Sequence, residues 1–249
     1  MKKTISILGS TGSIGLTTLD IINNKKNYFQ IELLSANKNF NLICKQIKNY
    51  NPKIFVITNL TIFKAVKKKY KKKKIKIINN FDSVSFKKKL DITISAIPGI
   101  VGLLPTLKMI KLSKKLLIAN KESVICGWNL IKQKSIKYKT KIVPVDSEHF
   151  SILKLMENHS LNEIKKIYIT ASGGPFLNYK DYQMKKIKPK EALKHPKWKM
   201  GKKISIDSST LMNKIFEFVE AQKLFGIPKS KLDILIHPES LVHAIIKFK

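Results

Sequence analysis

The sequence contains no arginine, and acidic residues are scarce: 16 Asp and Glu stand against 49 basic residues, all of them lysine. A formal net charge of +33 would ordinarily suggest a nucleic-acid-binding protein. Arginine, however, supplies the bidentate fork that reads guanine and grips phosphate, so its absence disfavours that class. We interpret most of the charge as solvated surface, including the run Lys71–Lys74.

Cysteines and long apolar runs are also few. Cys44 and Cys126 lie far apart and belong to no Cys/His cluster, which excludes a disulfide framework and the usual zinc spacings. No apolar run approaches the roughly 18 residues of a membrane helix. A strand pattern begins at Thr4 without an apolar signal segment before it. The sequence therefore predicts a soluble, cytoplasmic protein without a membrane partner.

Short β-type runs alternate with helical patterns as far as Val145. Such alternation with short links predicts a parallel sheet covered on both faces, which binds ligands beyond the carboxyl ends of its strands. The composition changes after Val145, and all five histidines lie beyond it. We predict an α/β protein with a Rossmann-like parallel sheet in residues 1–145 and a second, α+β domain in residues 146–249.

A glycine-rich turn, Gly9–Gly15, follows the predicted strand Thr4–Leu8 and leads into a helical pattern. Strand, turn and helix in this order can hold a phosphate at the helix N-terminus, although an ordinary strand–helix turn is the alternative. After the second strand the chain reads Asn37-Lys38-Asn39, with no acidic residue for ribose hydroxyls. A carboxylate would repel a 2′-phosphate and a lysine attracts one, so the pattern favours NADP over NAD unless Lys38 is simply a surface lysine.

Asp146 and Glu148 stand out in a chain so poor in acid. In an extended segment they would point to the same side, and two like charges so close require a cation or a shared proton between them. Two or three carboxylates are a usual protein contribution to a Mg²⁺ or Mn²⁺ site; a solvated turn is the alternative. Glu217 and Glu220 share a face of a predicted helix with Asn213, and helical spacing alone does not decide which supplies a third carboxylate.

Other stretches of the second part indicate binding of an anion. The turn 171–176 is rich in backbone donors, and Ser208, Asn213 and Lys214 are predicted to clamp a phosphate at a helix N-terminus. The loop 195–201 carries Trp198, whose apolar body predicts a lid that excludes water, with local packing as the alternative.

These blocks, in this order, resemble the 1-deoxy-D-xylulose 5-phosphate reductoisomerase family. The resemblance rests on residues 9–15, 119–123, 144–149, 172–176, 195–201, 203–208, 212–217 and 236–238. It implies an oxidoreductase, homodimeric in the family's full-length form, that rearranges 1-deoxy-D-xylulose 5-phosphate with Mg²⁺ or Mn²⁺ and reduces the product with NADPH to 2-C-methyl-D-erythritol 4-phosphate for isoprenoid synthesis. Family members continue further, so the resemblance also implies a chain truncated within its central domain and lacking a C-terminal helical domain.

The resemblance assigns roles to individual residues. The metal ligands are Asp146, Glu148 and Glu217, which together with Lys121 form the catalytic set. The substrate is expected at Lys121, Ser147, Glu148, Ser172, His195, Ser208, Asn213, Lys214 and Glu217. The cofactor is expected at Thr11, Gly12, Ser13, Ile14, Asn37, Lys38, Asn39, Asn120, Glu122 and Gly201, with Trp198 and Met200 in a closing loop.

Two positions depart from the family pattern: Asn37 stands where glycine is common, and Lys202 where arginine is common. The competing functional hypothesis is a truncated remnant that binds NADPH without turnover.

Overall fold

A computed structural model describes residues 1–194 and 201–249 of the chain. The chain divides into two compact units, Met1–Pro144 and Val145–Lys249. No helix within the two described ranges is both long and apolar enough to cross a membrane.

The first unit is built on one seven-stranded sheet in which every pair of neighbouring strands is parallel, in the order β4-β3-β2-β1-β5-β6-β7. The inner strand β3 is apolar along its length, and all four of its residues are buried, as is usual for a parallel sheet with helices on its faces. The strands are β1 Lys3–Leu8, β2 Phe29–Ala36, β3 Ile54–Ile57, β4 Lys76–Ile78, β5 Leu90–Ser95, β6 Ser113–Ile118 and β7 Lys141–Pro144. The predicted α/β class and parallel sheet are confirmed.

Asparagine begins three of the five helices that connect these strands. The side chains of Asn39, Asn59 and Asn120 each accept a hydrogen bond from the backbone N–H three residues further on, which satisfies an amide that the helix itself leaves open. The helices are α1 Ser13–Asn24, α2 Phe40–Tyr50, α3 Leu60–Lys69, α4 Leu103–Leu112 and α5 Lys121–Lys137.

The strand order reverses direction beside β1. Strands β2 to β4 lie on one side of β1 and strands β5 to β7 on the other, so the loops after β1 and β5 leave the sheet in opposite directions. A crevice at such a reversal, outside the carboxyl ends of the strands, is where doubly wound sheets bind their ligands. The glycine-rich turn follows β1 directly and therefore lies at this position.

The second unit has a three-stranded sheet in the order β10-β8-β9, with β8 antiparallel to β10 and parallel to β9. One face of this sheet packs on helices through a core that includes Ile152, Ile167 and Ala221. The strands are β8 Ile164–Ala171, β9 Leu232–Ile236 and β10 Ala244–Phe248, and the helices are α6 Ser147–Leu155, α7 Asp181–Met184, α8 Pro189–Ala192, α9 Lys202–Ser209 and α10 Met212–Phe225.

Candidate active site

The three glycines of the turn Gly9–Gly15 differ in what a side chain at their position would meet. Gly9 has a φ of +80°, and a Cβ there would lie 2.6 Å from the carbonyl oxygen of Ala96. A Cβ on Gly15 would lie 2.4 Å from the oxygen of Gly9. Gly12, the N-cap of α1, has an ordinary φ of −80°, and a Cβ there would meet no protein atom closer than 3.4 Å. The fold itself therefore requires Gly9 and Gly15, whereas the missing side chain of Gly12 leaves the N-terminus of α1 open to a ligand.

A buried network holds this loop against β2 and α2. The Ser10 hydroxyl donates to Gln46 Oε1 at 2.6 Å, and Gln46 Nε2 donates back to the Ser10 carbonyl at 2.8 Å. The N–H of Gly9 donates to Ser35 Oγ at 3.0 Å. These supporting residues were not predicted. Ser10 lies inside the glycine motif, but the sequence does not indicate that it forms hydrogen bonds with Gln46.

The three predicted cofactor residues after β2 differ in their hydrogen bonds and in their exposure. Asn37 Nδ2 donates to Thr58 Oγ1 at 2.7 Å, and Asn39 Oδ1 caps α2 by accepting from the N–H of Leu42 at 3.1 Å. Lys38 between them is exposed. The lysine is thus placed at the end of β2, where an adenosine 2′-phosphate would be received.

The loop after β6 places its predicted residues at the start of α5. Lys121 and Glu122 occupy the first turn and are half-buried, whereas Asn120 is buried as the N-cap. All predicted cofactor residues therefore belong to the first unit, apart from Gly201.

Asp146 caps a helix and does not lie in an extended segment. Its Oδ1 accepts from the backbone N–H of His149 at 2.9 Å, and α6 begins at Ser147. The prediction that Asp146 and Glu148 lie in an extended segment and point to the same side of it is therefore wrong, because Glu148 lies in the first turn of α6. A carboxylate followed by a helical segment is itself a capping signal, which our sequence analysis did not use.

Lys214 lies between two of the predicted metal ligands. Its Nζ is 3.0 Å from Glu148 Oε1 and forms an ion pair with Glu217 Oε2. Lys214 and Glu217 are both buried on α10. Burial alone would lower the pKa of Lys214, but the charges of Glu217 and Glu148 raise it above its ordinary value. A charged ammonium therefore bridges Glu148 and Glu217, and Asn213 Nδ2 adds a 2.5 Å hydrogen bond to Glu217 Oε1.

His149 forms the other half of this acidic centre. The side chain is fully buried; Nδ1 lies 2.6 Å from Asp146 Oδ1 and 3.6 Å from Glu220 Oε2, and Nε2 donates to the Glu217 carbonyl at 2.9 Å. Burial would lower the pKa of His149, but the hydrogen bond to Asp146 and the charges of Asp146 and Glu220 raise it to about 9. One possible ligand atom from each of Asp146, His149 and Glu220 lies within 4.8 Å of the others.

The charges of this centre decide what it can bind. We define the acidic centre as the four carboxylates of Asp146, Glu148, Glu217 and Glu220 with the cationic side chains of His149 and Lys214. When the carboxylates are ionised, two positive charges oppose four negative ones, and the remaining two negative charges match one divalent cation. The carboxylate donors are hard oxygen ligands of the kind that Mg²⁺ and Mn²⁺ prefer, so the residues fit such an ion.

Two further glycines bring a loop and a helix together beside α10. Gly173 and Gly174 have φ of +86° and +71°, and a Cβ on Gly174 would lie 2.8 Å from the Ser208 oxygen. The loop that carries Ser172 thus lies against the last turn of α9. Ser208 itself belongs to α9, and Thr210 and Leu211, which has a φ of 60°, separate α9 from the N-terminus of α10.

The remaining predicted residues divide into two groups. Gly201 is exposed as the N-cap of α9, with open space around it. His195, Trp198 and Met200 lie outside the described residues.

A parallel sheet with a glycine loop at its topological switch point defines a dinucleotide-binding α/β protein, here joined to a unit with a buried acidic centre. The sequence model of 1-deoxy-D-xylulose 5-phosphate reductoisomerase matches residues 5–127, and that of the same enzyme's C-terminal domain matches residues 142–225. The chain belongs to the 1-deoxy-D-xylulose 5-phosphate reductoisomerase family.

Individual relatives agree. The chain is 53% identical to the 1-deoxy-D-xylulose 5-phosphate reductoisomerase of Pelagibacter ubique, matching over 100% of its own length and 65% of that protein. It resembles the solved structure of the Zymomonas mobilis enzyme in complex with NADPH, with a TM-score of 0.89, 35% identity and coverage of 100% of this chain and 65% of that one. A reductoisomerase solved with NADPH, fosmidomycin and magnesium gives a TM-score of 0.89 at 32% identity, over 99% of this chain and 64% of that one. The chain thus spans about two thirds of the length of these relatives.

Proposed function

We propose that this chain rearranges 1-deoxy-D-xylulose 5-phosphate and reduces the product with NADPH to 2-C-methyl-D-erythritol 4-phosphate, assisted by one divalent cation. The observation that carries the proposal is the acidic centre, whose excess of two negative charges lies among the oxygen donors of the buried Glu217 and Glu220 and the half-buried Asp146 and Glu148. Similarity to structures solved with NADPH and with magnesium supports both cofactors. A homodimer and a cytoplasmic location remain predictions.

In the first unit, the open N-terminus of α1 would receive the cofactor pyrophosphate. The proposed contacts are the backbone and side chains of Thr11, Gly12, Ser13 and Ile14. Lys38 would pair with the 2′-phosphate of the cofactor, because it is exposed just after β2 and its neighbours, Asn37 and Asn39, carry no negative charge that would repel the phosphate. The buried bonds of Ser10 with Gln46 keep this loop in place before the cofactor arrives.

In the second unit, Asp146, Glu148 and Glu217 would hold the metal ion. We favour Glu217 over Glu220 as the third ligand because the family resemblance assigns it that role and because Glu217 shares the Lys214 ammonium with Glu148. The bound ion would supply Lewis-acid polarisation of the substrate's carbonyl and hydroxyl oxygens.

The neighbouring cations have their own tasks. Protonated His149 keeps Asp146 oriented and connects α6 to the backbone of α10. Lys214 would neutralise Glu148 and Glu217 until the ion arrives, and would then be available to the anionic substrate together with Ser172 and Ser208.

The test is a turnover assay on the 249-residue polypeptide, following NADPH absorbance with 1-deoxy-D-xylulose 5-phosphate and Mg²⁺ or Mn²⁺. We expect oxidation that requires both the sugar phosphate and the ion, with the Pelagibacter ubique relative as positive control. NADPH binding by a folded chain without oxidation would contradict the proposal and establish the remnant hypothesis.

A further inference from the structure

Asn120 uses its whole amide group inside the protein. The side chain is 3% exposed at the N-cap of α5. Its Oδ1 accepts from the N–H of Ser123 at 2.7 Å. Its Nδ2 donates to the Gly99 carbonyl at 2.9 Å and also to the Ile97 carbonyl. Both hydrogens of the amide are thus directed to the loop after β5, and the oxygen is directed to the helix after β6.

Gly102 makes room for this arrangement. Its φ of −75° is accessible to any residue, so the backbone does not require glycine there. A Cβ at this position would lie 2.2 Å from Asn120 Nδ2 and 2.6 Å from the Ile97 oxygen. Glycine is therefore explained by the amide of Asn120, which occupies the space that a side chain would need.

The two loops that Asn120 joins lie where the sheet hydrogen bonds end. Strands β5 and β6 pair as far as Ser95 and Ile118, and the N–H of Ala119 still donates to the Ser95 carbonyl at 2.9 Å. Asn120 is the next residue, and its side chain extends the connection beyond the sheet to Gly99. Lys121 and Glu122 follow immediately in the first turn of α5.

We propose that Asn120 is a positioning residue: its buried amide holds the loop 97–99 and the first turn of α5 together, and so fixes the edge of the proposed cofactor site beyond β5 and β6. Its amide has no donor left for a hydrogen bond to the cofactor, because both are used by the carbonyls of Ile97 and Gly99. The inference rests on the proposed NADPH site, but not on turnover.

Asn59 provides a matched control. It is also an asparagine N-cap, and its Oδ1 accepts from the N–H of Ile62 at 3.0 Å at the start of α3. Within the described part of the chain, that bond is the one its side chain makes. Replacing either asparagine by serine keeps a capping oxygen, but only Asn120→Ser removes the two bonds to the loop 97–99.

The experiment compares Asn120→Ser and Asn59→Ser in the 249-residue chain by hydrogen exchange and by NADPH titration. We expect Asn120→Ser to accelerate amide exchange in residues 97–102 and to weaken NADPH binding roughly tenfold. Asn59→Ser should change neither. Gly102→Ala should reproduce both effects, and the double variant with Asn120→Ser should be no worse than the more severe single variant.

Several results would overturn the inference. Unchanged exchange in residues 97–102 of Asn120→Ser would show that the amide does not hold the loop. Weaker NADPH binding with unchanged exchange would indicate a direct cofactor contact. If Asn120→Ser does not fold, Asn120→Asp keeps the cap and the side-chain size, and the same two readouts apply. Loss of turnover alone bears on the proposed function, since neither readout depends on catalysis.

Discussion

The loops of the proposed cofactor site in the first unit are held in place by backbone amides, glycines and neutral side chains, whereas the acidic centre of the second unit is built from six ionisable side chains. Ser10, Gln46 and Asn120 hold their loops by bonds between neutral groups, which keep the same form with or without a ligand. In the acidic centre, Lys214 and His149 compensate only part of the negative charge. We propose that the first site is preformed and that the second is completed by a cation.

Removing one carboxylate from the acidic centre should give the largest difference between the effect on turnover and the effect on NADPH binding. We expect Glu148→Gln to reduce turnover to background, because it removes a proposed metal ligand and a partner of Lys214. NADPH binding should be nearly unchanged, because the cofactor loops belong to the first unit. Steady-state assays and NADPH titration measure the two effects; equal loss of both would contradict the separation.

Lys214→Met should destabilise the metal-free protein by about 3 to 5 kcal/mol, because it leaves the buried Glu217 and the half-buried Glu148 as uncompensated carboxylates. Added Mn²⁺ should restore much of this loss. Lys203→Met is the control, since its ion pair with Asp207 involves a side chain that is 51% exposed; it should cost at most about 1 kcal/mol. Urea unfolding with and without Mn²⁺ makes the comparison, and equal effects in the two variants would refute it.

Gly12→Ala should weaken NADPH binding roughly tenfold while leaving stability nearly unchanged, because the added Cβ meets the ligand and not the protein. Gly15→Ala should instead lower stability by about 1 to 3 kcal/mol, since its Cβ overlaps the Gly9 backbone. NADPH titration and thermal unfolding of both variants would test this division; a fold weakened by Gly12→Ala would count against it.

The smallest expected change in the free energy of unfolding concerns a charged network at the surface of the first unit. Hydrogen bonds from Lys114 and Thr4 lower the pKa of Asp91 from 3.8 to about 2. Since the folded pKa is depressed, the stabilising contribution is present above the unfolded value and is lost as the pH falls from about 4 towards about 2. Asp91→Asn should lower stability by less than about 1 kcal/mol near neutral pH, because Lys114 is 64% exposed.

Urea midpoints near neutral pH and near pH 3 would show whether the gap between wild type and Asp91→Asn narrows in acid. A gap that stays constant would mean that the Asp91 carboxylate does not contribute through its charge.

Sequence reasoning predicted the first unit well because its features are local. Alternating apolar runs indicate the strands, and the spacing Gly9, Gly12, Gly15 indicates the turn after β1. The sequence did not distinguish Gly12, which serves the ligand, from its two neighbours, which serve the fold. That difference depends on Ala96 and Ser10, whose backbone atoms come close only in the folded chain.

The acidic centre was predicted by composition and family resemblance, but its internal pairing was not. Lys214 was expected at a phosphate, but its ion pairs with Glu148 and Glu217 were not predicted. His149 received no role, although it is fully buried between Asp146 and Glu220. Such pairings join residues nearly seventy positions apart on α6 and α10, and no local spacing encodes them. Asn120 shows the same limit, because its capping position is readable from sequence while its bonds to the next loop are not.

The claim that the acidic centre holds one divalent cation is tested most directly by titrating Mn²⁺ into the metal-free chain and counting bound ions by electron paramagnetic resonance. We predict one ion per chain, lost in Glu148→Gln and in Glu217→Gln and retained in Asp233→Asn, which removes a carboxylate on β9 outside the acidic centre. Absence of bound Mn²⁺ in the folded wild type, or equal binding in all three variants, would contradict the account.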